Sequence, residues 1–178
     1  MVERKSPNFH SLKEKRRDFP TVNGRKTLER RGAMIPDIPI TGTYRHNVDS
    51  KNRIFIPAKH REAIGSPLVV FPSIRDRSLK IYSVEEWRAF TQKIETMVAR
   101  EREQALRYYN ESSDTLTPDS QGRIVLNQDL VNHAGLSGGA VIVGCGKYAE
   151  IWSVEEYEKN KASVNVDDIR AALERLGL

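Results

Sequence analysis

The stretch Val48-Asp49-Ser50-Lys51-Asn52-Arg53-Ile54-Phe55-Ile56-Pro57 decides the reading of this chain, because a close copy returns 70 residues later as Asp119-Ser120-Gln121-Gly122-Arg123-Ile124. In each copy an Asp-Ser pair leads to a residue that tolerates positive φ, Asn52 or Gly122, and then to Arg and a β-favouring run. A tight hairpin turn requires such a residue, so the chain is expected to reverse at both places. Asp and Arg four positions apart then face each other across the turn. Two readings follow: a local ion pair, which adds only ~0–1 kcal/mol when exposed, or a protruding hairpin whose Arg and Lys reach phosphates or guanine edges.

Working outward, the same order of features recurs around each copy. Gly65 corresponds to Gly135, and Ile81-x-Ser83-Val84-Glu85-Glu86 corresponds to Ile151-x-Ser153-Val154-Glu155-Glu156. Ser83 with Glu86 three places on is a capping box, which predicts a helix start. Beyond it Trp87, Phe90, Ile94, Met97 and Val98 form one apolar stripe, which takes in Leu106 and Tyr109 if the helix persists. Short runs such as Thr41-Gly42-Thr43-Tyr44 and Ile54-Phe55-Ile56 predict strands. The fold class is therefore α+β, with two copies each too small for a comfortable core and expected to share one. The organisation expected is a basic tail over 1–39, module 1 over 43–89, a helical connector over 90–112, module 2 over 113–156 and a C-terminal helical segment over 157–178. In that last segment Val166, Ile169, Ala172, Leu173 and Leu176 recur at helical spacing, and the helix is expected to pack on the module or on a neighbour.

Composition excludes more than it selects. No run approaches the roughly 18 consecutive apolar residues of a membrane span, and the N-terminus lacks a signal-peptide core, so a cytosolic protein is expected. The single cysteine, Cys145, follows the apolar run Ala140-Val141-Ile142-Val143-Gly144 and reads as a small buried thiol. His46, His60 and His133 lack metal-ligand spacing, His10 lies in the tail, and Gly138-Gly139 lacks the Lys-Ser/Thr of a P-loop. No cofactor, metal or small-molecule substrate is expected.

The net charge of +5 is unevenly placed. Residues 1–33 hold ten Lys or Arg against four acidic residues, a net +6, which leaves about −1 for the remainder. These residues show no sustained period and read as a disordered basic tail, either attracting phosphate non-specifically or simply solvated. Residues 45–61 contain Arg45, Lys51, Arg53, Lys59 and Arg61 against Asp49 alone, a net +4, whereas residues 119–150 sum to −1. If both copies touch DNA, the first is expected to supply most of the affinity.

At these residues the chain resembles the MraZ family of bacterial transcriptional regulators, whose two tandem modules each carry Asp-x-x-x-Arg and belong with the AbrB-type proteins. The resemblance covers roughly residues 40–178. The first copy's Asp-x-x-Asn-Arg-x-x-x-Pro is similar to the AbrB pattern Asp-x-x-Gly-Arg-x-x-x-Pro, with Asn52 in place of Gly; in the second copy Asn127 stands where Pro is usual. The resemblance implies a pseudo-symmetric swapped-hairpin β-barrel of double-psi type with flanking helices. It also implies a ring-shaped homo-oligomer in the cytoplasm and nucleoid, which binds short repeated boxes of double-stranded promoter DNA upstream of its own division and cell-wall operon, usually as a repressor. Carried onto this chain, it places Lys51, Asn52, Arg53, Gln121 and Arg123 on DNA, with Asp49 and Asp119 orienting the arginines.

Two rivals belong to other classes. An antitoxin-like or structural oligomer would form a tight protein complex and no salt-dependent complex with promoter DNA. Paired Asp-Ser sequences in two halves also resemble aspartic proteases, in which two carboxylates share a proton. Lys51 and Gln121 replace the Gly of that motif, and each Asp has an Arg that should keep it ionised.

Overall fold

The computed structural model describes residues 28–30, 33–35 and 38–178. In the basic stretch, β1 (Leu28–Arg30) pairs antiparallel with β2 (Ala33–Ile35). Regular pairing thus occurs within the segment read as a structureless tail. Strands of three residues are too short for side-chain alternation to register, and their ladder is made by backbone groups alone. The remainder of that expectation, over 1–27, 31–32 and 36–37, lies outside the described residues.

From residue 38 onward each copy of the repeat yields the same series. The first gives β3 (Thr43–Asn47), β4 (Arg53–Phe55), α1 (Ala58–Ile64), β5 (Leu68–Pro72), β6 (Ser78–Ser83) and α2 (Val84–Ile94). After α3 (Ala99–Ser112), the second gives β7 (Asp114–Leu116), β8 (Arg123–Val125), α4 (Gln128–Ala134), β9 (Gly139–Gly144), β10 (Ala149–Ser153) and α5 (Val154–Ser163), and α6 (Val166–Glu174) closes the chain. The α+β class read from the sequence is the class observed.

The copies interleave. An antiparallel sheet of six strands runs β3-β9-β10-β6-β5-β7, so the first strand of each copy pairs with the third-position strand of the other, and β6 meets β10 at the centre. A separate two-stranded ribbon joins β4 to β8. The six-stranded sheet is not closed; β3 and β7 are its edges. One apolar core serves both copies: Ile54 and Ile124, Ile56 and Leu126, Ile64 and Ala134, Ile81 and Ile151 occupy equivalent places and are all buried together. Each such isoleucine contributes roughly 1.5–3 kcal/mol by leaving water, and half a repeat alone could not assemble that cluster.

The helix starts show why two different residues serve one position. Pro57 precedes α1 with φ of −52°, the value its ring enforces, and no side-chain cap. Asn127 precedes α4 with φ of −68°, and its Oδ1 accepts the Leu130 N–H at 2.9 Å. The departure from Pro is therefore a change of capping device. Ser83 and Ser153 cap α2 and α5 by accepting the N–H groups of Glu86 (3.1 Å) and Glu156 (3.3 Å). The second half of the expected capping box at Ser83 is not formed; the Glu86 carboxylate accepts from Lys147 Nζ at 3.5 Å.

The continuous apolar stripe over 87–109 is corrected by a break. Helix α2 ends at Ile94, Val98 takes an extended conformation, and α3 starts anew at Ala99. A straight helix would carry Tyr109 some 22 Å beyond Ile94 at 1.5 Å per residue. The break instead brings Tyr109 back onto Phe71 of β5 (5.7 Å) and Phe90 (4.9 Å), where Trp87 and Tyr82 also meet Phe71. Met97 and Val98, at the reversal, are exposed. In the single chain Val166, Ile169, Leu173 and Leu176 of the C-terminal segment are all exposed, so of the two expected packings the one against the module does not occur.

Candidate nucleic-acid interface

Both Asp-Ser-x-x-Arg turns are built the same way. Asp49 Oδ1 accepts the backbone N–H groups of Lys51 (2.9 Å) and Arg53 (3.0 Å), while Oδ2 accepts Arg53 Nε at 2.6 Å. Asp119 Oδ1 accepts from Gln121 and Arg123, each at 2.9 Å, and Oδ2 takes Arg123 Nε (2.9 Å) and Nη2 (2.8 Å). One carboxylate thus fixes both the turn and the arginine. Asn52 at φ 56° and Gly122 at φ 80° supply the left-handed residue the turn demands.

The reversal expected at each turn occurs, closed by Asp49 N–H to Arg53 O (3.0 Å) and Asp119 N–H to Arg123 O (2.8 Å). The expected hairpin does not. Strands β3 and β4 separate beyond the turn, β3 to pair with β9 and β4 with β8, because each copy's ladders are completed by the other copy. The two turns therefore sit at opposite ends of the β4–β8 ribbon. Leu126 N–H donates to Asn52 O and Ile56 N–H donates to Gly122 O, both at 2.9 Å, so each turn is tied to the other copy's strand.

The ribbon's register is Arg53 with Val125, Ile54 with Ile124, and Phe55 with Arg123. Alternation sends Ile54 and Ile124 into the core and leaves Arg53, Phe55, Arg123 and Val125 on the opposite face. The two arginines lie diagonally, two residues apart along the ribbon (~7 Å) and one strand spacing across (~5 Å). Val125, directly opposite Arg53, is 57% exposed, a large apolar group on an outer strand face.

Lys51 and Gln121 are exposed at the turn tips. Arg61, counted by sequence with the first copy, reaches the second. Its Nε donates to Ile56 O at 2.9 Å, its guanidinium lies 5.8 Å from the Phe55 ring, and a Cβ on Gly122 would meet its Nε and Cζ at 2.6 Å. Arg45 is paired with Glu158. The +4 assigned to the first copy is thus shared between the two ends, a division that contiguous residues do not reveal.

The electrostatics of the two aspartates oppose a proton-sharing dyad. The Arg53 backbone N–H above all, with the Arg53 guanidinium and the Lys51 N–H, holds the Asp49 carboxyl down to about 2. The Arg123 backbone N–H and then its guanidinium lower Asp119 likewise. Both carboxylates are ionised and at opposite ends of a ribbon, whereas acid-base partnership needs one raised beside the other.

The other groups singled out are structural. His60 is buried, its Nε2 3.1 Å from Thr41 O and its ring edge-on to Tyr44, with burial pushing its pKa down. His133 Nε2 lies 3.0 Å from Ser73 O, and His46 packs on Phe55. Cys145 is half-buried rather than fully buried, since the strand ends just before it, and burial with Glu150 nearby raises its thiol to about 11. Among the described residues no group of His, Cys, Asp and Glu is arranged to hold a metal, and no helix is long and apolar enough to cross a membrane.

Comparison with known proteins agrees with this geometry. The family model described as "MraZ protein, putative antitoxin-like" matches residues 40–107 and again 112–178. Relatives named transcriptional regulator MraZ include those of Clostridium tetani, 33% identical over 140 residues, and Alkaliphilus oremlandii, 36% identical over 141 residues; each alignment covers 77% of this chain and 98% of the relative. That of Lachnoclostridium phytofermentans is 36% identical over 138 residues, covering 77% and 96%. Two matched segments, each holding one turn and one arginine of the ribbon, assign the chain to the MraZ family, a family of transcriptional regulators and not of enzymes.

Proposed function

We propose that the chain is a sequence-specific regulator that lays the outer face of the β4–β8 ribbon on double-stranded DNA. The observation that carries this reading is the pair of clamped arginines, Arg53 and Arg123, on one solvent-facing side of a two-stranded ribbon whose other side is core. A two-stranded ribbon fits the major groove, and a guanidinium can meet guanine O6 and N7 there. Lys51, Asn52 and Gln121 contact DNA from the turn tips, and Asp49 and Asp119 orient the arginines.

The finer architecture is that of a swapped-hairpin, double-psi barrel. What supports it is chain continuity: edge strand β3 runs through its turn into β4, edge strand β7 into β8, and β4 pairs with β8. The exposed apolar row Val166, Ile169 and Leu173 on α6, with Leu176 just beyond it, supports self-assembly, in our reading into a ring. A ring suits repeated boxes, because linked subunits raise one another's effective concentration at the DNA. The boxes are those upstream of the chain's own division and cell-wall operon, bound in the cytoplasm at the nucleoid, with repression as the outcome.

The test is binding of the purified protein to its own upstream region against a scrambled duplex across a salt series. Arg53→Ala costs ~1–3 kcal/mol if it reads a base, or lowers the salt slope by about one if it holds a phosphate. Specific binding that survives Arg53→Ala with Arg123→Ala overturns the reading. An antitoxin-like module, the second reading favoured by the matching family's description, predicts a tight protein complex and no salt-dependent retardation of DNA.

A further inference from the structure

The two ends of the ribbon are not chemically equivalent, and the difference is a row of amides. At the first turn Asn52 Nδ2 donates to Gln128 Oε1 at 3.1 Å, and Gln128 Nε2 donates to Asn132 Oδ1 at 2.8 Å. The equivalent positions at the second turn, 70 residues away, are Gly122, Ala58 and Glu62, with Arg61 standing where the first turn has buried Val131. Gln128 and Asn132 are both exposed on α4, and Gln128 meets Asn52, the residue between Lys51 and Arg53 in the turn. Water competes for exposed amide bonds, so such a row adds little to stability, and folding does not account for it. Each amide still holds a donor or acceptor beyond those used within the row. The internal bonds orient the amide planes in advance, which lowers the ordering cost of binding.

We propose that Gln128 and Asn132, aligned through Asn52, are specificity-determining residues that read an A·T pair in the major groove, so that the ribbon binds DNA in one direction. Adenine presents N7 as acceptor and N6 as donor, the pattern a side-chain amide matches in two bonds. The Arg61 end carries the single amide of Gln121, outside any such row, and anchors without reading A·T. This rests on the DNA-binding reading above.

The experiment is selection of bound duplexes from a randomised double-stranded pool by the full chain, followed by sequencing, for wild type, Gln128→Ala, Asn132→Ala and, at the other end, Glu62→Gln. Wild type enriches a motif with an A·T position. Gln128→Ala and Asn132→Ala lower discrimination there by between ~5- and ~150-fold, with the remaining positions and the salt slope unchanged, while Glu62→Gln alters no A·T position. Unchanged discrimination in both amide variants sinks the inference and leaves DNA binding standing. A wild type that retains no duplex overturns both together.

Discussion

Gly122→Ala separates the geometry of the second turn from its chemistry. Gly122 sits at φ 80°, and an alanine held there pays the left-handed penalty of ~1–2 kcal/mol. Its methyl would also stand 2.6 Å from Arg61 Nε and Cζ. That contact is with the flexible end of a side chain, so Arg61 gives way and loses its 2.9 Å bond to Ile56 O, worth ~0.5–1.5 kcal/mol. The sum is a destabilisation of about 1.5–3.5 kcal/mol. Urea unfolding at one fixed protein concentration measures it as a lowered midpoint with unchanged slope. In an Arg61→Ala background the steric part is already gone, and the same substitution should cost only the backbone share, ~1–2 kcal/mol. Identical costs in both backgrounds would show that Arg61 does not press on the turn. A loss below ~0.5 kcal/mol in the parent chain would refute the strain as well.

Two further outcomes follow from the clamps and the caps. Because the folded-state carboxyl of Asp49 lies below its unfolded value, its stabilisation is present above about pH 4 and disappears as pH falls through about 2; the stability gap between wild type and Asp49→Asn should therefore close over that window in acid titrations followed by circular dichroism. Asn127→Ala removes the bond to Leu130 N–H and should cost ~1 kcal/mol, whereas Asn127→Pro, whose ring suits φ of −68° as Pro57 does at −52°, should cost less in thermal melts; a larger loss for Pro than for Ala contradicts the equivalence of the two helix starts.

The repeat made much of this fold legible before any coordinate. Gly65 and Gly135, the two serine caps and the two turns are local features, and local features are written in contiguous residues. The arginines and their aspartates could be found for the same reason, since the clamp spans only four residues. The outward Phe55 and Val125 were within reach too: each lies two residues beyond an arginine on a strand, and period-two alternation puts them on its face. The break at Val98 was not, because the stripe of Trp87, Phe90 and Ile94 continues in period through it. What the break makes possible is a contact distant in sequence, that of Tyr109 with Phe71.

Strand exchange is the feature that local reading misses, and it changes the functional argument. Charge counted along the chain credits Arg61 to the first turn, eight residues from Arg53. The fold carries α1 past the ribbon, so that Arg61 backs Gly122 in the second. The same exchange brings Gln128 of the second copy to Asn52 of the first. Each end of the ribbon is thus furnished by both copies, with Lys51 and the amide row at one and Arg61 and Gln121 at the other. Duplication created two equal turns, and substitution at the crossing positions 58, 61, 62, 128, 131 and 132 made them unequal. An approximately symmetric scaffold can then meet an asymmetric base sequence, because the residues that break its symmetry gather about the two turns, and of them only Val131 belongs to the shared core.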